Sequence, residues 1–297
     1  MTVSKFATQL RLGDWVELVR LPAVFSAWSN ILAAHLIATT GSPHWRLLAL
    51  QLAITTSLYW AGMVLNDCFD LNNDRIERPE RPLPSGRIAP RAAWTVGFGL
   101  LVAGVTLGGV AGPHPFLISM LLALAIVGYD AWFKNGLLGP AAMGLCRWLN
   151  WLLGLSVGLL LVPELLLALP VFLYTLSVTL LSRAETVSGN RLAVRHAAIA
   201  LGVTLAAIVG LYLVGLLTDP YALALTVVAG ALLIRRLLRL MDDPPAARVR
   251  ASVGLMLLCM IPLDALLLAG DGQRLAALGL LLLLLPGWIL ARRVQIT

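Results

Sequence analysis

The sequence predicts an all-α fold, a polytopic membrane helical bundle of nine to ten spanning helices. Of its 297 residues, 59% are hydrophobic and only 12% are charged, so lipid must cover much of the surface. Only helices and closed β-barrels can span a bilayer, because every backbone polar group needs an internal partner there. The apolar residues form unbroken runs of Leu, Ala and Val, not the short alternating segments of a barrel. Water-soluble folds and barrels are therefore excluded.

The individual spans follow from the lengths of the apolar runs, since a crossing helix needs roughly 20 mostly apolar residues. Ten runs are predicted, at residues 21–40, 47–66, 92–112, 115–133, 138–162, 165–182, 193–217, 220–240, 251–269 and 275–291. Nine spans result if the last run is re-entrant or peripheral. We expect a single domain over residues 1–297. We expect no cleaved signal sequence, because the first residues carry charge without an apolar core.

The basic residues give the orientation of the bundle. When alternate loops are assigned to opposite sides, all but three of the 22 Lys and Arg residues fall on one side or at its termini; the exceptions are Arg46, Arg147 and Arg274. Cytoplasmic loops hold the excess of basic residues in membrane proteins. We therefore expect a multi-pass protein of a bacterial cytoplasmic membrane with both termini in the cytoplasm. This topology accounts for the net charge of +7, and no nucleic-acid partner is expected.

Acidic residues cluster at the cytoplasmic end of the second predicted span. The pattern N-D-x-x-D-x-x-x-D begins at Asn66 and contains Asp67, Asp70 and Asp74. If the helix continues, these three carboxylates lie within about 60° of one another on one face, since each residue turns ~100°. Such carboxylates repel one another, and Mg²⁺ shared with a substrate diphosphate would neutralise them. A solvated acidic loop is the alternative.

The loop after the acidic pattern combines Pro with Arg. It includes Arg78 and Arg81 and reads R-P-E-R-P-L-P-S-G-R. Arginine binds phosphate oxygens bidentately, so these residues are candidates to bind the same diphosphate. Arginine is also expected in a cytoplasmic loop from topology alone.

The segments NDCFDLNND and RPLPSGR resemble the motifs of the UbiA superfamily of intramembrane prenyltransferases. The resemblance implies a bundle around a central lipid-accessible cavity. It also implies that Asp67, Asp70 and Asp74 hold Mg²⁺ on the diphosphate of a polyprenyl donor. Asn66 would be a neutral ligand or would orient the site.

Four further residues look like features of the same superfamily: Tyr129, Lys134, Arg147 and Asn150. Lys134 is suited to bind a diphosphate as a point charge, although a salt bridge to Asp130 four residues earlier is an alternative. Arg147 lies inside an apolar run, where a charge usually faces a cavity. Its alternative is to extend its guanidinium to the membrane surface.

The chain departs from the superfamily at its second acidic motif. The corresponding stretch, between Arg183 and Arg191, retains one carboxylate, Glu185. Arginines can take over part of a second cation's role on a leaving phosphate. We therefore expect one firmly held Mg²⁺, with Arg183 assisting departure of the diphosphate and Glu185 acting as a ligand or a base. The stretch resembles that of an atypical, EboC-like branch of the superfamily.

The function expected from these features is Mg²⁺-dependent transfer of a polyprenyl group from a polyprenyl diphosphate to an unidentified hydrophobic or aromatic acceptor in the membrane. The catalytic residues would be Lys134, Arg147, Arg183 and Glu185. The altered second motif makes a family member that binds or carries a prenyl lipid without transfer the main alternative. A membrane transporter is another, because intramembrane charges also mark ion pathways. A phosphoalcohol transferase is disfavoured, because no D-G-x-x-A-R segment precedes the acidic pattern.

Overall fold

The computed structural model describes residues 12–186, 190–242 and 245–293, and throughout them the regular structure is helical. Its α-helices are α1 (Leu12–Leu18), α2 (Phe25–Ala38), α3 (Trp45–Phe69), α4 (Leu71–Glu77), α5 (Pro90–Ala111), α6 (Pro113–Gly128), α7 (Gly139–Leu155), α8 (Val162–Thr186), α9 (Arg191–Leu213), α10 (Pro220–Asp242), α11 (Ala246–Leu258), α12 (Met260–Gly270), α13 (Arg274–Leu281) and α14 (Leu284–Arg293). A 3₁₀ turn, Leu21–Val24, precedes α2, and a π-helical turn, Tyr129–Phe133, follows α6. The all-α fold class is confirmed. Two predicted features lie outside the described residues: the basic residues Lys5 and Arg11, and residues 187–189 of the altered second motif.

Most of the predicted spans are present. Within the described ranges, eight helical segments are long and apolar enough to cross a membrane. They are Leu21–Ala38, Trp45–Phe69, Pro90–Ala111, Pro113–Phe133, Val162–Glu185, Arg191–Leu213, Pro220–Met241 and Ala246–Gly270. The fifth predicted span is α7, which has 17 residues. The tenth is divided between the shorter helices α13 and α14. The chain is therefore an integral multi-pass membrane protein.

Two proline residues explain the breaks in the last two predicted spans. Proline lacks an N–H, and its ring collides with the carbonyl four residues earlier. The residue four before Pro262 is Leu258, where α11 ends. The residue four before Pro286 is Leu282, directly after α13. The ninth run nevertheless remains one segment long enough to span, Ala246–Gly270, whereas the tenth is divided into two short helices.

The predicted end of the fifth span was also wrong. Helix α7 stops at Leu155, seven residues before the predicted end of that span. The hydroxyl of Ser156 donates a hydrogen bond of 2.6 Å to the carbonyl of Leu153, which satisfies one of the last helical acceptors. Helix α8 then starts at Val162, with a proline as its second residue, where a missing N–H costs little.

The helices that surround the functional region pack closely around α7. Helix α7 contacts both α2 and α8, while α3 packs mainly on α5. Trp151 of α7 is fully buried. At Gly154 the backbones of α2 and α7 approach so closely that a Cβ would lie 2.6 Å from the Cβ of Ala34 and 2.9 Å from the carbonyl oxygen of Ile31. Neither neighbouring atom is the end of a flexible side chain, so the two helices would have to separate.

Replacing Gly154 with Ala is expected to lower the free energy of unfolding by about 1–3 kcal/mol, the usual cost of overpacking a core. Thermal unfolding in detergent measures the effect. Gly202→Ala is the matched control, because Gly202 lies within α9 where an added Cβ would meet no atom of another element within 4 Å. The control should be neutral or stabilising, since Ala favours a helix over Gly by up to ~1 kcal/mol. Equal stability of the two variants would contradict the close packing.

Candidate active site

The acidic pattern lies where α3 passes into α4. Asn66 and Asp67 belong to the last turn of α3, Asp70 lies at the junction, and Asp74 is in α4. The amide of Asp70 donates to the carbonyl of Asn66 at 3.0 Å, and the amide of Asp74 donates to the carbonyl of Asp70 at 2.9 Å. Helical hydrogen bonding therefore carries through the junction. Asp67 and Asp74 are only 4% and 5% exposed.

Each of the three carboxylates is paired with a basic side chain. Asp67 accepts a hydrogen bond of 3.0 Å from Nη2 of Arg20. Arg81 lies between two of the acids, with its Nη1 at 2.9 Å from Asp74 Oδ2 and 3.7 Å from Asp67 Oδ1. Asp70 forms a salt bridge with Lys134. The three acids are thus neutralised by three bases that come from three different parts of the chain.

The predicted convergence of the three carboxylates on one point is not observed. Among the described residues, no three His, Cys, Asp or Glu side chains are grouped closely enough to hold a metal ion. The reason is the pairing with bases: Asp67 and Asp74 share Arg81, whereas Asp70 is turned to Lys134. The donor set itself fits Mg²⁺, because it consists of carboxylate oxygens with an amide nearby.

The proline-containing loop buries Arg81 against the acids. Ser85 anchors the loop, because both its amide and its hydroxyl donate to the carbonyl of Arg81, at 3.0 and 2.6 Å. Gly86 follows with a φ of 77°, a left-handed value that favours glycine. Arg87 then binds Glu17 and Asp14 of α1. The hydrogen bond from Arg87 to Glu17, followed by that to Asp14, raises the pKa of Arg87, so its guanidinium stays charged at all ordinary pH values.

The π-helical turn brings two more polar residues to the acidic pattern. Asn66 Nδ2 donates to Asp130 Oδ1 at 2.9 Å, while Lys134 pairs with Asp70. The alternative salt bridge between Lys134 and Asp130 is therefore not the pairing observed. The amide of Lys134 donates to the carbonyl of Tyr129, five residues earlier, and this wider turn changes the faces on which residues 130 and 134 lie.

A mostly apolar cavity of about 590 Å³ extends from the acidic pattern into the bundle. This volume lies within the range of small-molecule sites. Four of the predicted site residues line it: Asn66, Tyr129, Arg147 and Asn150. Two charged lining residues were not predicted as site residues, Arg20 and Asp130. The acids Asp67, Asp70 and Asp74 and the base Lys134 do not line the cavity. Two of the acids contact lining residues: Asp67 accepts a hydrogen bond from Arg20, and the amide of Asp70 donates to the carbonyl of Asn66.

Arg147 lies deeper in the cavity, away from the acidic pattern. Its guanidinium donates to Ser26 Oγ at 3.0 Å and to Asn30 Oδ1 at 3.3 Å, and lies 5.7 Å from the ring centroid of Tyr59. Tyr59 precedes Asn66 by two helical turns, which is about 10 Å along the axis of α3. Arg147 faces the cavity as predicted. Its position suits the interior of the cavity better than direct contact with a diphosphate at the acids.

A buried hydrogen-bond network supports Arg147. Asp264 of α12 is 0% exposed and accepts hydrogen bonds from Ser29 Oγ at 2.5 Å, Asn30 Nδ2 at 2.8 Å and Trp151 Nε1 at 2.8 Å. Asn30 then accepts from Arg147, so the carboxylate supports the arginine through one intermediate side chain. Asn150 belongs to the same region, because its amide donates to the carbonyl of Ala27 at 3.1 Å and its oxygen accepts from Thr55 at 2.5 Å.

The altered second motif has a different position. Arg183 donates to the backbone carbonyl of Gly136, in the loop before α7. Glu185 is partly buried, and Arg250 and Arg78 are the charged groups that act on it. Helix α8 contributes Thr175, Thr179 and Ser182 to the cavity lining, without Arg183 or Glu185. Arg78 is exposed and also lies outside the lining.

Three residues of this region were missed because their partners are remote in sequence. Arg20 was counted only as a topology signal, and its contact with Asp67 spans 47 positions. Asp130 was considered only as a partner for Lys134. Asp264 lies 234 positions from its partner Asn30. A charged residue within or beside an apolar run was the only signal that the sequence offered for any of them.

The fold and the site together define a class of protein: a multi-pass helical membrane protein with an acidic and basic cluster at one end of an apolar cavity. The model of the UbiA prenyltransferase family matches residues 27–258. The chain therefore belongs to the UbiA prenyltransferase family.

Several archaeal relatives are named as digeranylgeranylglyceryl phosphate synthases. The digeranylgeranylglyceryl phosphate synthase of Sulfolobus acidocaldarius is 30% identical over 182 residues, which are 60% of this chain and 65% of that protein. The synthase of the same name from Methanoregula boonei is 33% identical over 163 residues, 54% of this chain and 58% of that protein. The matched part of the chain thus spans somewhat less than two thirds of the length of these relatives.

Solved structures agree with the fold. A digeranylgeranylglyceryl phosphate synthase in membranes superposes with a TM-score of 0.71 at 20% identity, covering 88% of this chain and 98% of that chain. A UbiA homologue from Archaeoglobus fulgidus bound to GPP and Mg²⁺ has a TM-score of 0.66 at 15% identity, covering 90% and 99%. At these identities the similarity establishes the bundle architecture.

Proposed function

We propose that this protein transfers a prenyl group from a prenyl diphosphate, bound with Mg²⁺ at the acidic pattern, to an acceptor inside the cavity. The observation that carries the proposal is the meeting of three carboxylates and three bases at one end of a mostly apolar cavity. Such a site can bind a charged head group at its end and an isoprenoid tail within. The family membership and the GPP and Mg²⁺ bound to the Archaeoglobus fulgidus homologue support the same substrate class.

The role proposed for each side chain follows from its position in the site. Asp67, Asp70 and Asp74 would hold Mg²⁺, which when bound neutralises diphosphate charge. The bases Arg20, Arg81 and Lys134 now pair with these acids and would exchange them for diphosphate oxygens. Tyr129 and Asn66, at the same end, would orient the head group. These residues together stabilise the negative charge that develops on the leaving group.

The reaction needs departure of the diphosphate and attack by the acceptor. The bond between the allylic carbon and the diphosphate oxygen breaks, and its electron pair leaves with the diphosphate. The acceptor forms the new bond to that carbon, and the proton that it loses passes to the released diphosphate. Arg147 and Asn150 face the interior, where they would position the acceptor and not the diphosphate. Arg183 would stabilise the loop before α7 through its hydrogen bond to the carbonyl of Gly136. Glu185 and Arg78 do not line the cavity, so their contribution to the reaction would be indirect.

Orientation in the membrane follows from the same arrangement. We propose that the end with the acidic pattern faces the cytoplasm, because the basic loops collect on that side. A water-soluble donor head group would then reach the site from the cytoplasm while its tail stays in lipid. Labelling of single cysteines introduced at exposed positions on each side, such as Arg75 and Arg46, distinguishes the two orientations.

The test is a transfer assay with purified protein in lipid nanodiscs. Radiolabelled GPP and longer prenyl diphosphates would be offered with aromatic, porphyrin-like and glycerophosphate lipid acceptors, with Mg²⁺ or with EDTA. We expect a prenylated product that forms only with the metal. A second candidate, binding of prenyl lipid without transfer, is favoured by the absence of Glu185 from the cavity lining. Metal-dependent donor binding without product from any acceptor would support that candidate against transfer.

A further inference from the structure

Asp130 is a buried residue with one carboxylate oxygen that has no hydrogen-bond partner among the described residues. The residue is 8% exposed and lines the cavity. Its Oδ1 accepts a hydrogen bond from Asn66 Nδ2 at 2.9 Å. Its Oδ2 is buried and has no hydrogen-bond partner within the described part of the chain. Buried polar atoms are nearly always satisfied, so an unpartnered carboxylate oxygen in a cavity indicates a ligand.

The surroundings of Asp130 indicate that the ligand is a cation. Lys134, the base four residues away, is held by Asp70, and the π-helical turn separates it from Asp130. Arg20, Lys134 and Asp70 are charged side chains that act electrostatically on Asp130. None of them forms a hydrogen bond with its unpartnered Oδ2. A buried carboxylate oxygen without a hydrogen-bond partner is a hard ligand, and Mg²⁺ accepts such ligands together with substrate phosphates.

We propose that Asp130 is a further ligand for the divalent cation that accompanies the diphosphate, binding through Oδ2 while Asn66 fixes Oδ1. The inference rests on the proposed function and extends it to a carboxylate outside the acidic pattern. It explains how the site gains a carboxylate on the cavity side, where the polar side chains that α8 contributes are hydroxyl groups and Glu185 is absent. Asn66 then connects the acidic pattern to the carboxylate of Asp130 through a hydrogen bond between the two side chains.

Mn²⁺ binding in the presence of geranyl S-thiolodiphosphate, an unreactive donor analogue, tests the assignment without relying on turnover. Electron paramagnetic resonance counts free Mn²⁺ during titration. Asp130→Asn keeps the shape of the side chain and the oxygen that accepts the hydrogen bond from Asn66. We expect it to weaken Mn²⁺ binding about ten- to a hundredfold, as loss of a metal-site group does. Asp130→Ser is the second variant. Asp271→Asn, a change outside the cavity, is the matched control and should bind as wild type does.

The outcomes separate this inference from the proposed function. Wild-type affinity in Asp130→Asn, together with lost affinity in Asp67→Asn, would overturn the role of Asp130 and leave the proposed function intact. Failure of the unmodified protein to bind Mn²⁺ with the analogue would overturn both.

A second readout uses the unmodified protein, so it does not depend on the folding of any variant. Fe²⁺ and ascorbate cleave the backbone beside a bound metal, and the fragments can be located by mass spectrometry. We expect analogue-dependent cleavage near residues 129–131 as well as near residues 66–74. Cleavage confined to residues 66–74 would overturn the assignment of Asp130.

Discussion

Replacing Asp67 with Asn is expected to reduce the rate of prenyl transfer by about 100- to 1,000-fold, the loss typical of removing one group that stabilises transition-state charge. The amide has the same shape but carries no charge, so it is a poor cation ligand. It also leaves Arg20 and Arg81 with less compensating charge in a buried position. Initial rates with radiolabelled donor at saturating Mg²⁺ measure the effect.

The matched control for this prediction is Glu80→Gln. Glu80 is exposed in the loop beside the acidic pattern, and its backbone carbonyl, which the substitution keeps, accepts a hydrogen bond from Arg87. This variant should keep the wild-type rate within a factor of about two, as expected of a surface substitution. A similar rate in Asp67→Asn and Glu80→Gln, with both variants folded, would show that Asp67 does not bind the reacting group.

Replacing Asp264 with Ala is expected to produce the largest loss of stability, about 3–5 kcal/mol. The change leaves the donors of Ser29, Asn30 and Trp151 without their shared acceptor in a fully buried position. It also removes the negative charge that supports Arg147 through Asn30. Thermal unfolding in detergent should show a decrease of the midpoint on the order of 10 °C for a protein of this size.

The control for Asp264 is Asp271→Ala, at the end of α12. Asp271 is partly exposed, and its side chain accepts a hydrogen bond from Gln273, two residues away. This variant should lie within about 1 kcal/mol of wild type. If Asp264→Ala is as stable as the control, the network between α2, α7 and α12 does not hold the bundle together.

The fold was largely predictable because apolar length is a local property. Eight of the ten predicted runs are long apolar helical segments in the structure. The differences in helix boundaries fall where single residues act on the backbone. Pro262 and Pro286 divide runs that composition alone joins, and α7 ends near Ser156 although apolar residues continue to residue 162. A run of leucines indicates that a segment is buried in lipid, but it does not indicate the residue at which the helix ends.

The site was predictable where its spacing is short. The acidic pattern and Lys134 were selected from sequence, and the structure joins them through the pairing of Asp70 with Lys134. The partners Arg20 and Asp130 come from other segments, and no local pattern distinguishes them from a topology signal or a helix charge pair. Their roles depend on tertiary contacts. The resemblance to the EboC-like branch stays a prediction.

The central claim is that a divalent cation binds with a prenyl diphosphate at the acidic pattern, beside the cavity. Anomalous scattering from Mn²⁺ in crystals grown with geranyl S-thiolodiphosphate locates the cation directly. We expect a peak within about 2.5 Å of carboxylate oxygens of Asp67 or Asp70, the range of metal–oxygen bonds, with the isoprenoid chain in the cavity toward Arg147. An ordered diphosphate bound elsewhere, or bound to the bases without any cation peak, would contradict the claim.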